Sequence, residues 1–267
     1  MTSLRGSRRS MTAWRDLAFA LIRREIALRY KGSALGVGWA LIEPIANVAI
    51  YVVVFGLIFQ ARESVESYSV FAIFGVLPWL FFSASIDQGS ETLVNHSNLL
   101  RKLAFPRELL VIAVVVSRFS SMMLGLGVAF LVAFVSAMRG TTLIWSHLVY
   151  LPLGLFCLVL LTTGISLGTS ALQVILRDTS FILRFSLRLF FYACPIVYPV
   201  SRVPMRFRHW YELNPLVGIL ECFHSLATFD GAPSNVSLVS AVVGSVSVAV
   251  GGALLFRRLE ATVADLV

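Results

Sequence analysis

Six long stretches of this chain contain no charged residue, and their lengths do most to narrow the folds open to it. They are Pro44–Ala61, Ser67–Ile86, Phe119–Met138, Gly140–Leu176, Leu189–Ser201 and Gly231–Phe256. A helix rising about 1.5 Å per residue needs about 20 apolar residues to cross about 30 Å of hydrocarbon. Four of the runs reach that length, and Pro44–Ala61 does so together with Val37–Ile42. Leu189–Ser201 is too short alone and borrows Phe181–Arg188, which carries Arg184 and Arg188. A spanning backbone must satisfy its own hydrogen bonds, so the predicted class is an all-α integral membrane protein with six transmembrane helices.

With 58% hydrophobic and 13% charged residues, the chain is far from the roughly 25% charge of soluble domains. Six spans and their loops consume the 267 residues, leaving no room for a sizeable soluble domain. The net charge of +8 does not indicate a nucleic-acid partner, because the basic residues border apolar spans. Cys157, Cys194 and Cys222 lack metal-ligand spacing and read as apolar packing residues, so no metal is expected. The arginine-bearing first ~35 residues have no apolar core followed by a small-residue cleavage site. The first span is therefore expected to be its own insertion signal.

Orientation follows from Lys and Arg. With both termini cytoplasmic, the inside segments hold Arg5, Arg8, Arg9, Arg15, Arg23, Arg24, Arg29, Lys31, Arg101, Lys102, Arg107, Arg177, Arg184, Arg188, Arg257 and Arg258. The outside segments hold Arg62, Arg139, Arg202, Arg206 and Arg208, and Arg118 falls within a span. Positive residues are retained inside, so 16 against 5 favours an even number of spans with both ends cytoplasmic.

Residues 11–31 place Trp14, Leu17, Leu21 and Leu28 at helical spacing, with Arg15, Asp16 and Arg23 on another face. This reads as an amphipathic helix in the membrane interface, or else as a solvated basic tail that only orients insertion. Glu25 and Arg29 stand four apart in the favourable acid-first order. The spans are expected over 34–59, 68–89, 108–138, 145–176, from 181 onward, and 238–256. A polar, basic segment over 95–107 separates the second from the third. Cys194-Pro195 and Tyr198-Pro199 interrupt the fifth, since proline removes a donor and disfavours helix before it. Over 200–230, Arg202, Arg206, Arg208 and Glu212 alternate with Met205, Phe207, Trp210 and Tyr211. Asn214-Pro215 is a helix start, and the stretch reads as outer re-entrant or interfacial helices.

Catalytic chemistry finds little support. His96, His147, His209 and His224 are isolated in sequence, and no serine sits in a nucleophile-elbow context. A phosphate-binding loop needs Gly-Lys-Ser/Thr, yet the two lysines follow Tyr30 and Arg101. Any energy source must then be a separate subunit. Charges within spans are costly and usually functional. Glu43 lies about ten residues, or roughly 15 Å, into the first span, and Arg118 at comparable depth in the third. Arg118 is expected to pair with Glu43 or Asp87, or Glu43 to line a polar conduit. The Gly164, Ser166 and Gly168 cluster is expected to permit close helix packing.

Several motifs occur together in order. They are Arg24-Glu25, Arg29-Tyr30, Leu35-Gly36, Trp39-Ala40 and Pro44; Gly75–Ser83; Asn98-Leu99 with Lys102; and Phe105-Pro106-Arg107-Glu108. Leu176-Arg177-Asp178, Asn214-Pro215, Arg258-Leu259-Glu260 and Ala264-Asp265 complete the set. This ordered set, covering nearly the whole chain, resembles the permease subunits of polysaccharide-exporting ABC transporters. The likeness is greatest to O-antigen exporters, with capsule and teichoic-acid exporters as near relatives.

The resemblance implies a homodimer of six-span subunits in the bacterial inner membrane. It also implies two copies of an ATPase subunit that binds ATP and magnesium, and a lipid-linked polysaccharide as substrate. Asn98, Leu99, Arg101, Lys102, Phe105 and Pro106 would dock into the ATPase, where a basic helix suits a steered interface. Trp14, Arg24, Glu25, Arg29 and Tyr30 would form the interface helix flanking a lateral opening for the lipid carrier. Sugar C–H faces pack on aromatic rings, so Tyr51, Trp79, Phe81, Phe82, Tyr192 and Tyr198 are conduit candidates, with belt or lipid-facing packing as the alternative. Arg202, Arg206 and Arg208 are expected either to attract a pyrophosphate or anionic sugar or to contact lipid headgroups. Small-molecule efflux explains the spans but not the motif set. An integral-membrane glycosyl- or acyltransferase would need a histidine or carboxylate pair at an interfacial loop, which the sequence does not offer.

Overall fold

A computed structural model describes residues 16–27, 36–39 with single positions up to 53, 68–97, 100, 105–138, 140, 143–227 and 232–266. Residues 16–27 are helical (α1). They are followed in the chain by α2 (Tyr68–Asn95), α3 (Glu108–Met138) and, after a 3-10 turn over Trp145–Tyr150, α4 (Leu151–Ile175). Next come α5 (Thr179–Ala193), the short α6 (Met205–Glu212) and α7 (Pro215–His224), and finally α8 (Asn235–Leu266).

Among the described residues, four helical stretches are long and apolar enough to cross a membrane: Tyr68–Asn95, Glu108–Met138, Trp145–Ile175 and Asn235–Glu260. They coincide with the expected second, third, fourth and sixth spans. Most of the expected first span lies outside the described residues. The expected fifth is α5, whose 15 residues reach only about 22 Å. It stops where predicted, because Cys194 is extended ahead of Pro195. The last helix does not end at Arg257-Arg258 but runs on to Leu266. Hydropathy falls there while helix propensity does not, since Arg257–Leu266 contains neither glycine nor proline.

The chain passes up and down between two ends. One is rich in arginine and carries Arg107, Arg177, Arg257 and Arg258; the other holds the 3-10 turn, α6 and α7. The core centres on α2, where 78% of the most apolar window is buried, against 17% for α8. Helix α2 packs on α3, α4 and α7, burying Phe71, Phe74, Leu158, Ile219, Leu220 and Phe223.

Small residues set the closest approaches. A Cβ added to Gly252 of α8 would run into the Gly164 carbonyl of α4, and one on Gly164 would lie 2.5 Å from the Val248 carbonyl oxygen. Gly168 also faces Gly252, whereas Ser166 points away toward α2 and donates to the Ser85 carbonyl at 3.5 Å. The predicted small-residue cluster therefore serves two faces of α4. At α7, Asn214 caps the helix by accepting the Leu216 N–H at 3.0 Å, with Pro215 in the first turn, as the sequence foretold. Ser234 does the same for α8, accepting from the Ser237 N–H at 3.1 Å.

Candidate functional site

The aromatic candidates separate sharply. Trp79, Phe81 and Phe82 are consecutive or nearly so on α2, and all are buried. Trp79 meets Phe82 and Phe191 at 5.7 Å between ring centroids, and Phe81 meets Phe119 at 5.9 Å. Successive helical residues point about 100° apart, so this burial reflects the central place of α2. Within one chain these rings contact other rings and offer no open face. Tyr192, by contrast, is 75% exposed at the end of α5. Tyr198 donates its hydroxyl to the Tyr192 carbonyl at 2.9 Å, which leaves Tyr211 as the donor in the 2.9 Å contact between the two hydroxyls. Burial pushes both the Tyr198 and Tyr211 hydroxyls up. Tyr51 lies outside the described residues.

A polar seam joins α2 to α5. Asp87 and Glu91 are four residues apart and share a helix face. Arg184 reaches across from α5, placing Nη1 at 2.7 Å from Glu91 and 3.4 Å from Asp87, with Nη2 donating to Ser180 at 3.3 Å. Arg118 of α3 donates to Gln88 at 2.9 Å. Asp87, one of its two expected partners, faces Arg184 instead; Glu43, the other, lies outside the described residues. The three charged side chains of the seam are about one-third exposed or more, open on the side away from the core. Charged side chains exposed to this degree require water, protein or headgroups beside them rather than acyl chains. The sequence analysis did not single out Arg184 as a partner, since it sits 97 residues from Asp87.

At the arginine-rich end, a second apolar cluster gathers Leu21 of α1, Leu93 of α2, Leu110 and Val111 of α3, Ala171 of α4 and Phe256 of α8. Leu100 and Phe105, on either side of the segment after α2, pack against it. Arg24 is exposed on α1, whereas Glu25 is 7% exposed and pairs with His96 Nε2 at 3.4 Å. Phe105 is half-buried and Pro106 exposed. Trp14, Arg29, Tyr30, Asn98, Leu99, Arg101 and Lys102 lie outside the described residues. Beyond the segment, Arg107 donates to the Glu260 carbonyl at 3.0 Å and Glu108 pairs with Arg257 at 3.6 Å.

At the opposite end, α6 presents Met205, Phe207 and Trp210 outward, with Arg202 and Arg206 also exposed. The Arg206 guanidinium sits 4.4 Å above the Phe207 ring. Arg208 pairs with the buried Glu212 at 3.0 Å. Helix α7 is buried, and His224 stacks on Phe71 at 3.9 Å. That histidine carried no sequence signal, because its partner stands on a distant helix. Cys157, Cys194 and Cys222 are buried free thiols.

Comparison with known proteins gives a consistent answer. A family described as ABC-2 type transporter matches residues 16–227. Among curated proteins, the chain is 28% identical over 220 residues to the O-antigen export system permease protein RfbA of Myxococcus xanthus, with 82% of each chain covered. It is 25% identical over 253 residues to a protein of the same description from Klebsiella pneumoniae, covering 94% of this chain and 95% of that one. It is also 26% identical over 245 residues to the polysialic acid transport protein KpsM of Escherichia coli, covering 91% and 93%.

Proposed function

The chain belongs to the ABC-2 type transporter family, as a permease subunit rather than an enzyme, and from that premise we propose that it exports a lipid-linked polysaccharide, O-antigen being the favoured cargo. One observation carries this reading: near end-to-end similarity to proteins named for O-antigen export and for polysialic acid transport. Two polymers of different chemistry share the architecture, so a common carrier-linked form of cargo explains the likeness better than a common sugar. The KpsM likeness keeps capsule export as the second reading.

In this reading the subunit has six spans and works as a homodimer in the bacterial inner membrane. The arginine-rich end faces the cytoplasm, in keeping with the excess of Lys and Arg there. Residues 95–107 dock on a separate ATPase that supplies ATP and magnesium chemistry. Helices α6 and α7 form re-entrant or interfacial elements on the outer side, and exposed Trp210 and Met205 suit a lipid boundary. The conduit runs between two copies of the chain. The exposed ring of Tyr192 and the open side of the Arg184 seam are the features best suited to line it.

The test is co-purification of the chain with its ATPase, followed by deletion of the chain and recovery of carrier-linked polymer. Polymer accumulating inside the cell, and reaching the surface again when the chain is restored, is the expected result. A chain that purifies without an ATPase, or whose loss leaves surface polymer unchanged, overturns the proposal.

A further inference from the structure

The segment after α2 is fastened to the rest of the molecule differently on its two sides. Before it, His96 carries three contacts. Its Nδ1 lies 3.0 Å from the Thr92 carbonyl, its Nε2 lies 3.4 Å from the Glu25 carboxylate, and its backbone carbonyl accepts from the Leu100 N–H at 3.1 Å. Both ring nitrogens thus face acceptors. Opposite it, Glu25 and Leu21 are the buried residues of α1, and Leu21 sits in the apolar cluster that also holds Leu93. Beyond the segment, the Glu108–Arg257 pair is open to water, with the Arg257 side chain 70% exposed. An exposed pair breaks and re-forms at little cost, whereas a carboxylate left buried without its partner is strongly penalised.

The geometry points to the Glu25–His96 pair as the joint that makes α1 follow the segment after α2. Both residues are positioning residues that keep the interface helix in step with the ATPase-docking segment. The inference rests on the reading that residues 95–107 bind the ATPase and that α1 borders the carrier's way in. A hinge of apolar contacts alone would let α1 slide over Leu93 and Phe256. A residue whose ring faces both Thr92 and Glu25, and whose backbone carbonyl accepts from Leu100, transmits displacement as well as holding position.

The experiment uses the full chain co-expressed with its ATPase, measuring complex recovery, ATP hydrolysis by the complex and polymer at the cell surface. For Glu25→Gln and His96→Gln, hydrolysis should stay within about twofold of wild type while surface polymer falls about fivefold or more, the scale of a site-to-site coupling. His96→Lys places a donor opposite Glu25 and should restore export, whereas Arg257→Ala should leave it unchanged. Surface polymer unaffected by both Gln variants overturns the inference. So does export falling only in step with lost complex or lost hydrolysis, with no recovery in His96→Lys. A wild-type chain that recovers no ATPase would instead sink the transport reading itself.

Discussion

Helices α4 and α8 meet backbone to backbone, while α2 and α5 meet through side chains, with the Arg184 ion pairs at one place and the Trp79–Phe191 ring contact at another. At the first contact Gly164 and Gly252 leave no room for a single added carbon. At the second, Arg184 spans a gap to Asp87 and Glu91, and α5 buries only Ser180 among its residues. Lipid offers no hydrophobic drive for helices to associate, so the first contact rests on close packing. The second adds to the packing of Leu183, Leu187 and Phe191 a set of ion pairs that water or another ion can replace. Strength and adjustability are thus assigned to different seams of one bundle.

The largest effect should come from closing the glycine crossing. Gly252→Leu forces α8 off α4 and should cost more than about 3 kcal/mol, seen as loss of monodisperse protein after extraction. Folded protein at normal yield would show that the two helices tolerate separation. Next is Trp79→Ala, which empties a buried ring position between Phe82 and Phe191 and should cost about 3–5 kcal/mol. Because that ring is sealed in the core, export per folded molecule should hardly change. A selective export defect in a stable Trp79→Ala protein would move the conduit into the single chain.

Arg184→Ala should act more gently and more locally. It frees the end of α5, so maleimide labelling of a cysteine placed at the buried Ser180 should rise severalfold. The three natural cysteines are buried and keep the background low. Labelling that stays slow would mean that Leu183, Leu187 and Phe191 hold α5 without the ion pairs. Smallest in stability is Tyr192→Ala, since the ring is exposed and its carbonyl still accepts from Tyr198. Export should fall while thermal stability holds, and undiminished surface polymer would remove Tyr192 from the conduit.

Helix α2, α3, α4 and α8 were legible because an uncharged run of membrane length has few other uses, and the α7 start because Asn-Pro performs two capping roles at once. The far end of α8 was not legible. Hydropathy reports where lipid stops, whereas a helix stops where its backbone loses a partner, and Arg257–Leu266 supplies no such break. The place of the aromatic residues was not legible for a related reason. Trp79, Phe81 and Phe82 carry the same chemistry whether they border a path or fill a core, and only the place of α2 among its neighbours decides. Residues that gain meaning from a distant helix, such as Arg184, His96 and His224, show nothing in a one-dimensional pattern. Glu25 was noted for its spacing to Arg29, yet its described partner is His96.

The glycine crossing also limits how the protein can change shape. Two rods touching along their spines cannot twist or slide against each other without first parting, so α4 and α8 must travel as a single beam. Freedom to open then falls to the slender strut beside them, α5, which side chains rather than backbone moor to its neighbours.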